Sequence, residues 1–257
     1  MLKKITSLFK RDIPPQNQTG VFSIQGRKPS QQDNYFISEL RNNRRMLFVA
    51  DGVGGHSHGE FASETAVDIF KNSFIQSDSF ENVEDFLRKT TLVVAAMVLQ
   101  KGMAEPEYKN CGTTLSGFYL LDNTYYVFNV GDSRVYLYSE NKLQQLTKDQ
   151  SKVQQLIDEG ALTPEQAATH PERHIMTSAI GQSLSMIKND ISGPFDLNKG
   201  DILLAFSDGV HDPLSNKQLE QLISSNKNNN NLAQTIVEQA FNAGGTDNIT
   251  ALYYKHI

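Results

Sequence analysis

At 257 residues the chain is long enough to bury a large core. A net charge of −5, from 24 Lys and Arg against 29 Asp and Glu, gives no reason to expect nucleic acid as the main partner. The single cysteine, Cys111, excludes an intramolecular disulfide and fits a reducing compartment. The chain opens with "MLKKITSLFKRDIPP", which has neither the continuous apolar run nor the small-residue cleavage site of a signal peptide. Within it Leu2, Ile5, Leu8 and Phe9 fall at helical spacing among lysines. A membrane-surface helix is one reading of residues 1–18, and a solvated, flexible basic tail is the expected one. The longest apolar run, "LVVAAMVL" at 92–99, is too short to span a bilayer. A cytoplasmic monomer with one domain over 19–257 is the expectation.

"TGVFSIQ" (19–25) and "MLFVA" (46–50) read as strands bounded by turn residues. From Gly59 a helix places Phe61, Ala62, Ala66, Ile69 and Phe70 on one face. "VEDFLRKTTLVVAAMVLQKG" repeats the pattern with Phe86, Leu87, Val93, Val94, Met97 and Val98. The period then changes to two. "TTLSGFYLL", "TYYVFNV" and "RVYLYS" read as strands, with "NVGDSRV" as a hairpin turn. "SKVQQLIDEG" is a helix closed by Gly160. "TPEQAATH" carries a capping box, with Thr163, a proline at the first helical position and Gln166. "DILLAFSDG" is a strand, "NKQLEQLISS" and "LAQTIVEQAFNAGG" are helices, and "NITALYY" is the last strand. Helices grouped in pairs between strand blocks point to mixed α+β layers rather than a βαβ wind.

One arrangement recurs. "LFVADGVGG" and "LLAFSDGVHD" are apolar strands ending in Asp-Gly-Val, "NVGDSR" puts Asp132 in a turn, and "GGTDNIT" puts Asp247 before a strand. Strand ends are rigid places from which to project a carboxylate, and the glycine leaves its carbonyl open to a ligand. Several aspartates brought together repel unless a cation lies between them, and a hard divalent ion such as Mg²⁺ or Mn²⁺ suits oxygen ligands. A plain turn is the competing reading of each Asp-Gly taken alone.

Other chemistries fit the stretch "FVADGVGGHSHGE" less well. A phosphate-binding loop would need Lys-Ser or Lys-Thr after its last glycine. A dinucleotide fingerprint would need glycine where Ser57 stands. His56 and His58 are not followed by the Asp-His of a histidine-rich zinc hydrolase, and read as solvent-facing loop residues. A cysteine-dependent phosphatase would need arginine at position 117, which is glycine, so Cys111 reads as a buried, inert thiol.

In order, "SIQGRKPSQQDNYF", "VADGVGGHSHGE", "CGTTLSG", "NVGDSRVYLY", "LTKDQS", "HIMTSAIG", "DILLAFSDGVHD" and "GGTDNIT" resemble the metal-dependent protein serine/threonine phosphatases of type 2C, in their short bacterial form. The resemblance runs over about residues 20–255. It implies a four-layer αββα sandwich, with two central antiparallel sheets each flanked by a helix pair. It further implies two Mg²⁺ or Mn²⁺ ions and a bridging, metal-activated water that attacks phosphoserine or phosphothreonine, reversing a cognate kinase. By the same resemblance Asp51 bridges the two ions with help from the Gly52 carbonyl, and Asp208 and Asp247 hold the first ion. Asp132 and Asp212 join Asp208 at a third, looser ion, and Asp33 supports the cluster. Residues 152–180 match a flap beside the active site.

Three positions depart from the family pattern. Gln32 stands where the first motif usually has glutamate, which weakens or alters the second metal site. Lys28 stands at the phosphate-binding arginine, with Arg27 beside it, and lysine lacks the bidentate fork. Gln150 stands where histidine is frequent. These departures motivate an alternative, a pseudophosphatase that keeps the fold as a binding module, against which the full aspartate set argues.

Overall fold

The computed structural model describes residues 18–54, 58–77 and 82–257. The tail reading of 1–18 thus lies outside the described residues except at Gln18, which already begins the first strand.

Two antiparallel sheets form the centre. One is built from β1 (Gln18–Ile24), β7 (Arg134–Ser139), β8 (Lys142–Gln145), β10 (Ile202–Phe206) and β11 (Ile249–Lys255), in the order β1-β11-β10-β7-β8. The other holds β2 (Asp33–Ile37), β3 (Arg44–Val53), β5 (Leu115–Leu121), β6 (Thr124–Val130) and β9 (Asp190–Asp196) in chain order, with the short β4 (Gly112–Thr113) pairing β3. α1 (Gly59–Gln76) and α2 (Val83–Ala104) cover the second sheet, while α6 (Asn216–Asn226) and α7 (Leu232–Asn242) cover the first. Between Gln145 and β9 lie α3 (Lys152–Asp158) and α4 (Pro164–Ala168), and α5 (Asp208–His211) follows β10. This is the expected αββα sandwich.

Strand alternation sorts the side chains into three apolar layers. On β3, Met46, Phe48 and Ala50 face the helices, where Phe48 meets Phe70 at 5.3 Å between ring centroids. Leu47 and Val49 face the other sheet, and pack in one cluster with Phe118, Val127, Leu203 and Leu252. The outer face of the first sheet carries Tyr136, Leu204, Phe206 and Tyr253 against Leu219, Ile223 and Ile236. Helix starts follow local chemistry. Asn82 accepts from the Asp85 N–H at 3.1 Å, the capping box at Thr163 is formed, and a second box joins Ser215 to Gln218.

Two expectations are corrected. "NVGDSRV" is no hairpin turn, because β6 and β7 belong to different sheets and the segment carries the chain from one to the other. Both strands are apolar on both faces, so alternation could not say whether they pair with each other. The second correction is in α2, where Val93 and Met97 are 51 % and 50 % exposed. The face turned inward holds Leu87, Thr91, Val94, Ala95 and Val98. The run "LVVAAMVL" is apolar all round, which hides the buried face from a periodicity argument. Buried Thr90 and Thr91 donate their hydroxyls to the carbonyls of Phe86 and Leu87, at 2.7 and 2.8 Å, and so need no other partner.

Candidate active site

The apolar layer between the sheets turns polar at one end. The register pairs Asp33 of β2 directly with Asp51 of β3, and both share the inward parity of Leu47 and Val49. From the other sheet Ser207 and Thr250 continue the inward faces of β10 and β11. Asp33 Oδ2 bridges the two sheets, accepting from Ser207 Oγ and Thr250 Oγ1 at 2.7 Å each. Asp33 is 4 % exposed, and its other oxygen, Oδ1, has no hydrogen-bond partner among the described residues.

In front of this pair lies a cleft of about 640 Å³, walled among others by Lys28, Gln32, Asp51, Asp132, Asp208 and Asp247. The Asp-Gly pairs that supply two of these carboxylates are not turns. Asp51 and Gly52 lie inside β3, and Asp208 opens α5. Their glycines serve close backbone approach. A Cβ on Gly52 would sit 2.5 Å from the Gly59 carbonyl oxygen and 2.6 Å from that of Gln32, and one on Gly209 would sit 2.0 Å from that of Asn248. No side chain fits at either place, so β3 meets the start of α1, and α5 meets the residue before β11, backbone to backbone.

The carboxylates hold each other's protons. Burial, then the charges of Asp33, Asp208, Asp132 and Asp247, push Asp51 well above the usual carboxylate range. Burial, then Asp132, Asp247 and Asp212, do the same to Asp208, whose buried Oδ1 has no hydrogen-bond partner among the described residues. Asp132 rises to about 7 through burial and the charge of Asp149, with Arg134 opposing. Asp33 rises to about 6, mainly through burial, against the two hydroxyl bonds that favour its ionised form. Asp51, Asp132, Asp208, Asp212 and Asp247, distant in sequence, line one cleft. Oxygen donors, mutual repulsion and orphaned buried carboxylate atoms together fit hard divalent cations.

The remaining predicted residues divide. Lys28 reaches the cleft, with its ammonium 2.8 Å from Asp247 Oδ2. Burial lowers its pKa, but the bond to Asp247 and the charges of Asp247, Asp208 and Asp51 outweigh that and raise it. Arg27 turns away, its guanidinium 5.3 Å from the centroid of the Phe241 ring, and is not among the cleft walls. Gln32 lines the cleft, while its backbone N–H donates to Asn248 Oδ1 at 2.8 Å and its carbonyl takes the Gly52 N–H at 3.1 Å. Gln150 is 4 % exposed and acts as a latch. Its Oε1 accepts from the Gly131 N–H, beside Asp132, while its amide donates to the Lys188 carbonyl and to Asp190 Oδ2, each at 2.9 Å. Asp212 stands at the rim, 3.7 Å from His174 Nδ1 and 4.0 Å from Arg173 Nε. His58 packs on Tyr108 in a tilted contact at 4.5 Å between centroids and is not among the cleft walls; His56 lies outside the described residues. Cys111 is buried, which raises its thiol pKa.

His174, His211 and Asn248 lie inside the quoted motifs, where no role was expected of them, and the structure brings them to the site. One atom each from His174, Asp208 and Asp212 lie within 4.8 Å of one another. His211, buried and held neutral mainly by burial, donates from Nε2 to the Asp132 carbonyl at 3.1 Å. Asn248 donates to the carbonyls of Gln25 and Ser30, at 2.8 and 2.9 Å, clamping the loop that presents Lys28. Its place directly before β11, beside Asp247 in "GGTDNIT", was the signal available in the sequence.

A family model described as protein phosphatase 2C matches residues 22–239. The chain is 35 % identical over 222 residues to the protein phosphatase PhpP of Streptococcus pneumoniae, covering 84 % of this chain and 87 % of that one. Among solved structures, the serine/threonine phosphatase Stp1 from Staphylococcus aureus gives a TM-score of 0.87 at 26 % identity, covering 95 % of this chain and 96 % of that one. The catalytic domain of the serine/threonine protein phosphatase PstP, solved with two manganese ions, gives 0.81 at 26 % identity, covering 93 % and 97 %.

Proposed function

Because this chain belongs to the protein phosphatase 2C family and is a metal-dependent protein serine/threonine phosphatase, we propose that its acidic cleft hydrolyses phosphoserine and phosphothreonine on proteins, reversing a cognate kinase. The convergence of Asp51, Asp208 and Asp132, each held above its ordinary range at one end of the inter-sheet layer, carries this reading. Asp51, the Gly52 carbonyl, Asp208 and Asp247 would hold two Mg²⁺ or Mn²⁺ ions, with Asp33 behind Asp51. Asp132, Asp208 and Asp212 would hold a third. When bound, the ions supply activation of water near neutral pH and shielding of the phosphoryl charge. No carboxylate then needs to act as nucleophile.

The protein's own contribution is placement. Ser207 and Thr250 fix the Asp33 carboxylate, and the backbone contact at Gly52 fixes Asp51 relative to Gln32. The Lys28 ammonium, in the cleft wall with Arg173, would meet a phosphoryl oxygen as a point charge where a guanidinium would grip with a fork. Arg27, packed on Phe241, leaves that role to Lys28. No helix among the described residues is long and apolar enough to cross a membrane.

Hydrolysis of p-nitrophenyl phosphate and of a phosphothreonine peptide, with Mn²⁺ and with EDTA, tests the proposal. Turnover that requires Mn²⁺ is expected, and Asp51→Asn and Asp208→Asn should each abolish it. The absence of turnover across a broad Mn²⁺ range would leave the binding-module alternative standing.

A further inference from the structure

The carboxylate of Asp247 is engaged through both of its oxygens. Oδ1 accepts from the Asn248 N–H at 2.8 Å, and Oδ2 meets the Lys28 ammonium at 2.8 Å. The Asn248 N–H is backbone and stays where the chain holds it. Lys28 can withdraw, because its ammonium ends a flexible four-carbon stem and its side chain is 47 % exposed. The movable partner of Asp247 is therefore the same cleft residue that would face a phosphoryl group.

The loop that carries Lys28 is fixed on either side of it. Asn248 Nδ2 donates to the carbonyls of Gln25 and Ser30, at 2.8 and 2.9 Å, and Gln25 Nε2 donates to the Lys28 carbonyl at 2.7 Å. Gly26 adopts a φ of +62°, and a Cβ there would stand 1.9 Å from the Asp247 carbonyl oxygen. The loop thus lies backbone to backbone on the residue that Lys28 pairs with, and the side chain is the part left to move. The charges of Asp208 and Asp51 act on the same ammonium, so on leaving Asp247 it stays in a negative field.

We propose that Lys28 couples ion binding to phosphate binding: its ammonium competes with a divalent ion for Asp247 Oδ2, and once released it meets the phosphoryl oxygen. The inference rests on the reading of the cleft as the phosphatase site, with Asp247 as an ion ligand. A carboxylate oxygen has lone pairs for two partners, but an ammonium and a dication on one oxygen repel each other. An ion on Asp247 therefore frees Lys28, and a phosphoryl group that takes Lys28 frees Asp247. By linkage each event favours the other by the same factor. Lysine suits this exchange. A guanidinium can hold both oxygens of a carboxylate in its fork and leaves less readily than a single ammonium.

Mn²⁺ binding, followed by the electron paramagnetic resonance of the free ion, tests this without turnover. Lys28→Met should tighten Mn²⁺ about two- to fivefold, the scale of an exposed ion pair. In an Asp247→Asn background, which lacks the contested carboxylate, the same change should leave Mn²⁺ affinity where it was. Inorganic phosphate should tighten Mn²⁺ more in the wild type than in Lys28→Met. Equal or weaker Mn²⁺ binding in Lys28→Met overturns the exchange. So does a tightening that persists in Asp247→Asn, which would mark a general effect of charge, or a phosphate effect as large in Lys28→Met as in the wild type. With wild-type hydrolysis of p-nitrophenyl phosphate intact, any of these results overturns the exchange alone. No hydrolysis of any phosphomonoester with Mn²⁺ overturns the phosphatase reading, and the exchange with it.

Discussion

Asp33→Asn should stabilise the metal-free protein at neutral pH while weakening its response to Mn²⁺. In the fold the Asp33 carboxyl is buried and titrates at about 6 rather than 3.8. Below pH 3.8 it is protonated in both folded and unfolded chains and contributes no difference. Between 3.8 and about 6 the unfolded chain ionises first while the fold keeps its proton, so stability falls as pH rises. Above about 6 both are ionised, and the penalty is constant at about 3 kcal/mol. Asparagine cannot ionise and escapes this penalty. Its Oδ1 can still accept from Ser207 and Thr250, but its NH₂ replaces an oxygen that has no hydrogen-bond partner among the described residues, and costs about 1–3 kcal/mol at every pH. The difference between variant and wild type should therefore swing by about 3 kcal/mol in the variant's favour from about pH 3 to pH 7.5. At roughly 2–4 °C per kcal/mol for a chain near this size, that is about 6–12 °C in relative Tm. Thermal melts followed by circular dichroism in EDTA read it directly. Repeated with saturating Mn²⁺ at pH 7.5, they should show a smaller gain for the variant, because the ion loses a supporting charge. A relative Tm that is flat or falls with pH, or an equal Mn²⁺ gain, would refute the reasoning.

Three further outcomes follow from the same geometry. Gln32→Glu adds a carboxylate to the cleft wall and should lower the Mn²⁺ concentration for half-maximal rate; an unchanged requirement counts against the role assigned to that position. Lys28→Met removes the charged donor 2.8 Å from Asp247 and should lower kcat/KM on phosphopeptides about 10- to 100-fold, with Lys28→Arg retaining most of it. Equal kcat/KM for Lys28→Met and wild type would mean that another group takes the phosphate. Gln150→Ala strands the Gly131 N–H and the Lys188 carbonyl, and should cost about 2–4 kcal/mol in urea unfolding; an unshifted midpoint would show that the latch is idle.

Much of the architecture was legible because it is written in short range. The strand of "DILLAFS", the helix closed by Gly160 and the Thr163 capping box depend on residues within a few positions of one another. The aspartates were equally visible, since Asp51 and Asp208 follow apolar runs in the same pattern. The sequence by itself determined the elements, the carboxylate inventory and, through ordered motifs, the family.

Tertiary structure decided the rest, and the reason is range. Whether β6 pairs with β7 depends on which sheet each apolar face is buried against, and no local pattern records that choice. Arg27 and Lys28 are adjacent basic residues, and only the position of Phe241 on α7 sends one away while Asp247 draws in the other. Asp33 meets Asp51 through the β2–β3 register, and then Ser207 and Thr250 through the contact of two sheets. Raised pKa values exist only once that contact removes water from several carboxylates together. An aspartate in the sequence is a charge; only its packing makes it part of a site that calls for a cation.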